Sequence, residues 1–87
     1  MTKEEKTAIM KEFATKEGDV GSPQVQIAVL TAKIKELTSH MKEHPSDYSS
    51  RRGLLKMVTR RKSLLKYLNS KNHSAYVDLI KKLGLKR

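Results

Sequence analysis

Apolar residues recur at three- and four-residue steps along almost the whole chain, and no segment alternates convincingly at a spacing of two. The first period marks helices buried along one stripe, and the lack of the second speaks against sheet. Four helices are predicted. The first covers residues 2–16 with a small apolar set (Ala8, Ile9, Met10, Phe13 and Ala14), in which Ile9 and Phe13 form a short stripe. The second covers 23–44, where Ile27, Leu30, Ile34, Leu37 and Met41 make a sustained seam. The third runs from about Ser49 to Lys71 on Leu54, Val58, Leu65 and Leu68, flanked by Leu55, Met57 and Leu64. Arg61 falls on the axis of that stripe, so it must either snorkel along the core edge or meet a partner. The fourth covers 73–83 with Tyr76, Ile80 and Leu83. The predicted fold is all-α: four helices, the last three packed as a bundle and the N-terminal one loosely docked. Residues 1–87 form a single helical domain, with 1–22 as a mobile N-terminal helix and loop and 23–87 as the core.

The breaks between helices carry their own signals. Thr2 and Glu5 have the spacing of a capping box, in which hydroxyl and carboxylate each satisfy an orphan backbone amide. Gly18 and Gly21, around Asp19 and Val20, mark a tight turn with at least one left-handed position. Gly21 there either serves a connector or lets backbone come close to a ligand. Ser22 is an N-cap followed by Pro23 at the first helical position. Pro45 ends the second helix, and Ser46, Asp47, Ser49 and Ser50 all offer capping oxygens to the third, with Asp47 read first as a plain N-cap. Asn72 caps the fourth helix, Gly84 stops it, and Lys81 and Lys82 suit its negative end.

Composition narrows the class. With 87 residues, 37% hydrophobic and 32% charged, the chain can build only a thin core. It has no cysteine, which excludes a disulfide framework and thiolate metal sites. It also has no apolar run near membrane-spanning length and no secretory pattern at its N-terminus, so a cytoplasmic protein is expected. His40, His44 and Asp47 lie close in sequence, but a zinc site would need a further ligand and His73 is far along the chain. No phosphate loop, nucleophile elbow or carboxylate pair is present, and neither enzyme activity nor a metal or cofactor is expected.

Charge points instead to a polyanion. The net charge is +10, distributed as −1 over residues 1–22, +1 over 23–44, +7 over 45–72 and +3 over 73–87. Within 45–72 eight Lys or Arg residues face a single acid, Asp47. A helical hairpin with arms of about 20 residues differs from the short joint of a helix-turn-helix DNA reader. Structured RNA fits better, since its wide, shallow minor groove admits a polar turn while basic helix sides meet phosphates. A carboxylate or serine oxygen in that field can accept from a guanine amino group, which lysine cannot do. Two heptad-spaced rows flank the seams: Gln26, Lys33 and His40 on the second helix, and Gly53, Arg60 and Tyr67 on the third. A glycine inside a helix points to close packing or ligand approach. The rival class is a DNA-binding or nucleoid-type protein driven by charge alone.

The run from Leu37, with His40, Met41, Asp47, Ser50, Leu54 and Leu64, to Tyr67 closely resembles the signature of the small-subunit ribosomal protein S15 family, of bacterial type. The flanking GDVGSPQVQIAVLTAKI, RRGLLKMV and LIKKLGL stretches resemble it too, so the likeness covers nearly the whole chain. The resemblance implies a structural, ribosome-bound protein that is a primary binder of the central domain of small-subunit rRNA. His40, Asp47 and Ser50 match a trio that reads a G·U/G·C element in the minor groove. Gly21, Gln26, Lys33 and Tyr67 match residues at a three-way junction. Lys33 stands where relatives often carry arginine or another polar residue, Val20 where a threonine usually precedes the glycine, and Ser70 at a frequently basic position. Arg51, Arg52, Arg60, Arg61, Lys62 and Lys71 are the candidate phosphate contacts. The resemblance also implies nucleation of platform assembly with neighbouring ribosomal proteins, and an intersubunit bridge to large-subunit rRNA. A monomer is expected when the protein is free, with no membrane partner.

Overall fold

Capping residues set the helix boundaries. In the computed structural model, which describes residues 2–14 and 21–85, α1 spans Lys3–Phe13, α2 Pro23–Glu43, α3 Tyr48–Lys71 and α4 His73–Leu83. Both bonds of the Thr2–Glu5 capping box form, at 3.1 and 3.2 Å. The Ser22 hydroxyl accepts from the Val25 amide at 3.3 Å, with Pro23 opening the helix. Asn72 receives the Ala75 amide at 3.1 Å and starts α4 directly after α3. At the other end of α4, Gly84 takes a left-handed conformation, φ 68°. The Leu85 amide then reaches the Ile80 carbonyl and the Gly84 amide that of Lys81, a Schellman stop.

Boundaries of three helices differ from the predicted ones: α2 ends at Glu43, with His44 as its C-cap, and α1 starts at Lys3, with Thr2 as its N-cap. α1 ends at Phe13, because Ala14 turns into extended backbone; residues 15 and 16 lie outside the described residues, as do Gly18, Asp19 and Val20 with their predicted turn. α3 begins at Tyr48, one residue before the predicted start, directly after Asp47, which is its cap as read from the sequence.

α2 is the central element. It packs on α1, α3 and α4, and α3 also packs on α4. α2 and α3 run antiparallel as a hairpin: the His40 ring meets Asp47 near the turn, Thr31 meets Arg61 further along, and Ile27 meets Leu68 at the far end. Ile27, Leu68 and Leu79 form the core cluster, with Phe13, Leu64, Leu65 and Tyr76 packed around it. Burial is therefore concentrated at the end away from the hairpin turn. Val25, Ala28, Val29 and Thr31 are buried as well, although the predicted seam of α2 did not include them. The N-terminal half of α2 is covered on several sides and accordingly reads as apolar nearly all round. Leu37 and Met41, covered by fewer neighbours, stay half-buried.

Arg61 meets a partner. Its Nη1 donates to Thr31 Oγ1 at 3.4 Å, and that hydroxyl in turn donates to the Ile27 carbonyl at 2.8 Å. The buried hydroxyl is thus satisfied twice, and the guanidinium stays at the core margin. α1 has no buried residue. It is held through Phe13 in the core cluster and by Lys82, whose ammonium sits 4.4 Å from the Phe13 ring centre and donates to the Glu12 carbonyl at 3.0 Å.

This distribution generates a stability prediction. Ile27→Ala, at a fully buried position, costs about 2–5 kcal/mol. Leu37→Ala, half-buried near the turn, costs less than half of that. Urea denaturation of the two variants checks the contrast, and equal losses would mean that the core extends to the hairpin tip.

Candidate nucleic-acid interface

The hairpin turn is organised by one carboxylate. Asp47 caps α3, its Oδ1 accepting from the Ser50 amide at 3.0 Å. Its Oδ2 accepts from the Ser50 hydroxyl at 2.6 Å and from His40 Nε2 at 2.9 Å. An ionised carboxylate only accepts, so the Nε2 of His40 carries a proton. The Ser50 hydroxyl, then the His40 ring, then the Ser50 amide hold the Asp47 carboxyl well below the usual carboxylate range. The backbone closes around this group: the His44 amide bonds to the His40 carbonyl and the Asp47 amide to the His44 carbonyl. His44 also lays its ring 4.7 Å from that of His40. Arg51 braces the turn from outside, donating to the Pro45 carbonyl at 2.9 Å and lying 5.5 Å from the centre of the Tyr48 ring.

His40, Asp47 and Ser50 are therefore brought together as the sequence predicted, but their capacities differ. Three of the roughly four acceptor positions on the Asp47 carboxylate are occupied inside the turn. The Ser50 hydroxyl has committed its proton to Asp47, which leaves its oxygen lone pairs available. An outside donor thus finds Ser50 the more open acceptor, with Asp47 as its aligner.

Within the second predicted group, Gly21 and Gln26 are bonded to each other. Gln26 Nε2 donates to the Gly21 carbonyl at 2.7 Å, and Gln26 Oε1 accepts from Arg60 Nη2 at 3.4 Å. Tyr67 lies two turns beyond Arg60 on the same edge of α3, half exposed at 52%, with Lys71 Nζ 5.9 Å from its ring centre. Gly21 does not take the left-handed conformation. At Gly53, a Cβ would meet nothing within 4 Å. Close packing is thus not the reason for a glycine inside α3, and the edge carrying Gly53, Arg60 and Tyr67 is open.

Shallow concavities connect the two groups. One of about 480 Å³ is lined by Lys6, Gln26, Lys33, Lys56 and Arg60 with apolar residues between them. Its neighbour, about 590 Å³, is lined by Lys3, Lys6, Lys33, His40 and Ser50. Lys33 belongs to both and so joins the turn to the Gln26 group. Lys6 and Lys56 were missed by the sequence reading. Lys56 had a signal, lying three residues from Gly53 and four from Arg60, whereas Lys6 comes from a separate helix and had none.

The predicted phosphate contacts do not form one row. Arg60 and Lys71 share the Tyr67 edge, and Arg51 is engaged with the turn. Arg52 is exposed, Arg61 sits at the core margin, and Lys62 falls on the opposite edge of α3. Among the described residues no cluster of His, Cys, Asp or Glu could hold a metal ion, and no helix is long and apolar enough to cross a membrane.

A model of the family described as ribosomal protein S15 matches residues 6–86. The small ribosomal subunit protein uS15 of Natranaerobius thermophilus is 53% identical over 87 residues, which cover 100% of this chain and 98% of that protein.

The depressed Asp47 titration has a checkable cause. A carboxylate held below its unfolded value contributes stability that is fully present above the ordinary carboxylate range, and is lost only as pH falls through the folded value. NMR titration of the Asp47 side-chain carbon is expected to show a midpoint below that range. Ser50→Ala should move it upward by removing the largest contributor, and an unmoved midpoint would assign the depression to other groups.

Proposed function

The chain belongs to the ribosomal protein S15 family, and on that premise we propose that it binds the central domain of small-subunit rRNA at two places. As a family member it is a structural, non-enzymatic constituent of the small ribosomal subunit and works bound to rRNA. In the proposed reading, the first place is the turn. Ser50, aligned by Asp47 and braced through His40, accepts from guanine in a minor-groove G·U/G·C element. The second is the edge of α3, where Gly21, Gln26, Arg60 and Tyr67 hold a three-way junction and Lys33 spans the distance between the two. Tyr67 offers its exposed ring to an unpaired base, Lys71 and Arg60 meet phosphate, and Gly53 lets the backbone of the RNA approach the helix. The observation that carries this reading is the Asp47 network: an ionised carboxylate that aligns the Ser50 hydroxyl oxygen as the open acceptor, inside the +7 segment of the chain.

The same reading takes the protein as an early binder. It fixes the junction in one shape so that platform proteins can join, and it reaches the large subunit through an intersubunit bridge. In this reading α1 is the mobile part and α2 to α4 are the core; α1 has no buried residue, which supports this division. Hydrogen exchange as slow in α1 as in the middle of α2 would contradict it.

Three measurements test the reading. Ser50→Ala and Asp47→Ala should each lose discrimination between the cognate minor-groove site and a scrambled helix, by about 1–3 kcal/mol for a base-edge contact at Ser50. Equal loss on both RNAs would leave the turn as a helix cap only. Arg60→Ala should weaken binding on all RNAs alike and flatten the salt slope by roughly 0.9 on duplex, and duplex DNA should compete poorly at physiological salt. DNA competing as well as the folded junction would favour the charge-driven rival.

Gly53→Ala supplies a sign test. It should raise stability by about 0.5–1 kcal/mol, since alanine is the better helix former and its Cβ meets open space. It should at the same time weaken junction binding. Stability raised without loss of RNA affinity would remove Gly53 from the interface.

A further inference from the structure

α3 carries cations on both edges of its buried stripe, and one RNA contact uses only one of them. Arg60, Tyr67 and Lys71 lie on one edge; Lys62, Leu65 and Asn69 lie on the other. On that second edge, between α3 and α4, is a concavity of about 520 Å³. Its cations are Arg61, Lys62 and Lys66, its apolar walls are Leu65, Tyr76 and Leu85, and no acid lines it. From the concavity and the placement of its cations we infer a second RNA-binding surface that takes an unpaired, looped or bulged strand, while the Arg60–Tyr67 edge holds the junction. The inference rests on the proposed reading of that first edge and goes beyond it.

Three features choose the occupant. Arg61 spends one of its five N–H groups on Thr31 and keeps the rest, on a guanidinium already oriented by that bond. A fixed fork of this kind suits phosphate better than a free lysine does. Beside it, Tyr76 is half-buried in the core cluster and packs at 6.0 Å on the His73 ring, so its own ring is held in place. A held aromatic flanked by leucines and cations is a stacking platform for single-stranded bases, whereas a paired duplex keeps its base faces covered. Finally, the two edges face different ways around one helix, with α4 packed along the second. By the helical period Lys62 lies about 160° around α3 from Arg60, so an RNA helix seated on Arg60 and Tyr67 leaves the Lys62 side open.

The test starts from the intact protein saturated with the folded three-way junction RNA. A fluorescent 12-nucleotide oligouridylate is then titrated, with a 12-base-pair RNA duplex and a 12-residue polyglutamate as competitors. The preformed complex should still bind the oligouridylate, and duplex and polyglutamate should compete poorly. Lys66→Glu/Asn69→Glu, both at exposed positions lining the concavity, should weaken oligouridylate binding by about tenfold while changing junction affinity less than threefold. Lys56→Glu/Arg60→Glu should do the reverse. Tyr76→Leu should narrow the preference for single strand over duplex.

The inference is overturned if the preformed complex does not bind the oligouridylate, if the two double variants weaken it equally, or if polyglutamate competes as well as RNA. Failure of the first-edge reading looks different: the wild-type protein would not hold the junction, yet Lys66→Glu/Asn69→Glu would still lose the oligouridylate from the free protein.

Discussion

The tip of the α2–α3 hairpin depends on one polar group, the Asp47 carboxylate, because little of the apolar core reaches it. Burial is concentrated around Ile27, Leu68 and Leu79, while Leu37 and Met41 near the turn remain half-exposed. What locks the tip is the set of bonds from His40, the Ser50 hydroxyl and the Ser50 amide onto Asp47. These bonds tie the last turns of α2 to the first turn of α3. A network in water is weaker than burial, since each bond replaces one with solvent. It has a compensating property: it holds oxygens in fixed positions while leaving them accessible, which a packed apolar tip could not do. The division of the hairpin into an apolar end and a polar end follows from that requirement.

Charge imposes the second constraint. α3 contains no acid after its cap, so Arg52, Lys56 and Arg60, and likewise Lys62 and Lys66, stack like charges at four-residue spacing. Each such pair costs an isolated helix roughly a few tenths of a kcal/mol, and the thin core of a small domain has little to offset it. A polyanion that binds the folded chain reverses the sign, stabilising the native state by mass action. The sequence is thus shaped for the bound state, with part of its stability left to the partner. The bonds of Arg60 to Gln26, Arg61 to Thr31 and Arg51 to Pro45 show how the free protein manages the remainder, orienting guanidinium groups on neutral oxygens.

How far the sequence disclosed this structure depends on how local each signal is. The caps at Thr2, Ser22, Asp47 and Asn72 and the stop at Gly84 were legible because each bond spans only three to five residues. The trio at the turn was named by the family resemblance and not by spacing, although His40 and Ser50 lie only seven and three residues from Asp47. Burial of Val25, Ala28 and Val29 was not, because it depends on which helices cover α2, and a single heptad seam assumes one partner. The fate of Arg61 was half legible: its place on the stripe demanded a partner, but Thr31 is thirty residues away. Lys6 was hidden entirely, since its nearness to Lys33 and Arg60 arises only from docking α1 on α2.

The length of α3 gives the proposed two-place contact its selectivity. Ser50 and Tyr67 stand on one unbroken helix of 24 residues, and seventeen steps at 1.5 Å separate them by about 26 Å along its axis. No proline interrupts it, and the one glycine between the two contacts, Gly53, sits three residues after Ser50 near the start of the helix. A partner that engages both must therefore present its minor-groove element and its junction at that spacing without help from the protein. A flexible RNA that has to be ordered into the same arrangement loses part of its binding free energy to that ordering, whereas an RNA folded with the right geometry does not. Discrimination then arises from distance as well as from the acceptor at the turn. It also explains why a polar network at the tip suffices: α3 itself is the rigid part, and the Asp47 group has only to set how Ser50 faces outward from its first turn.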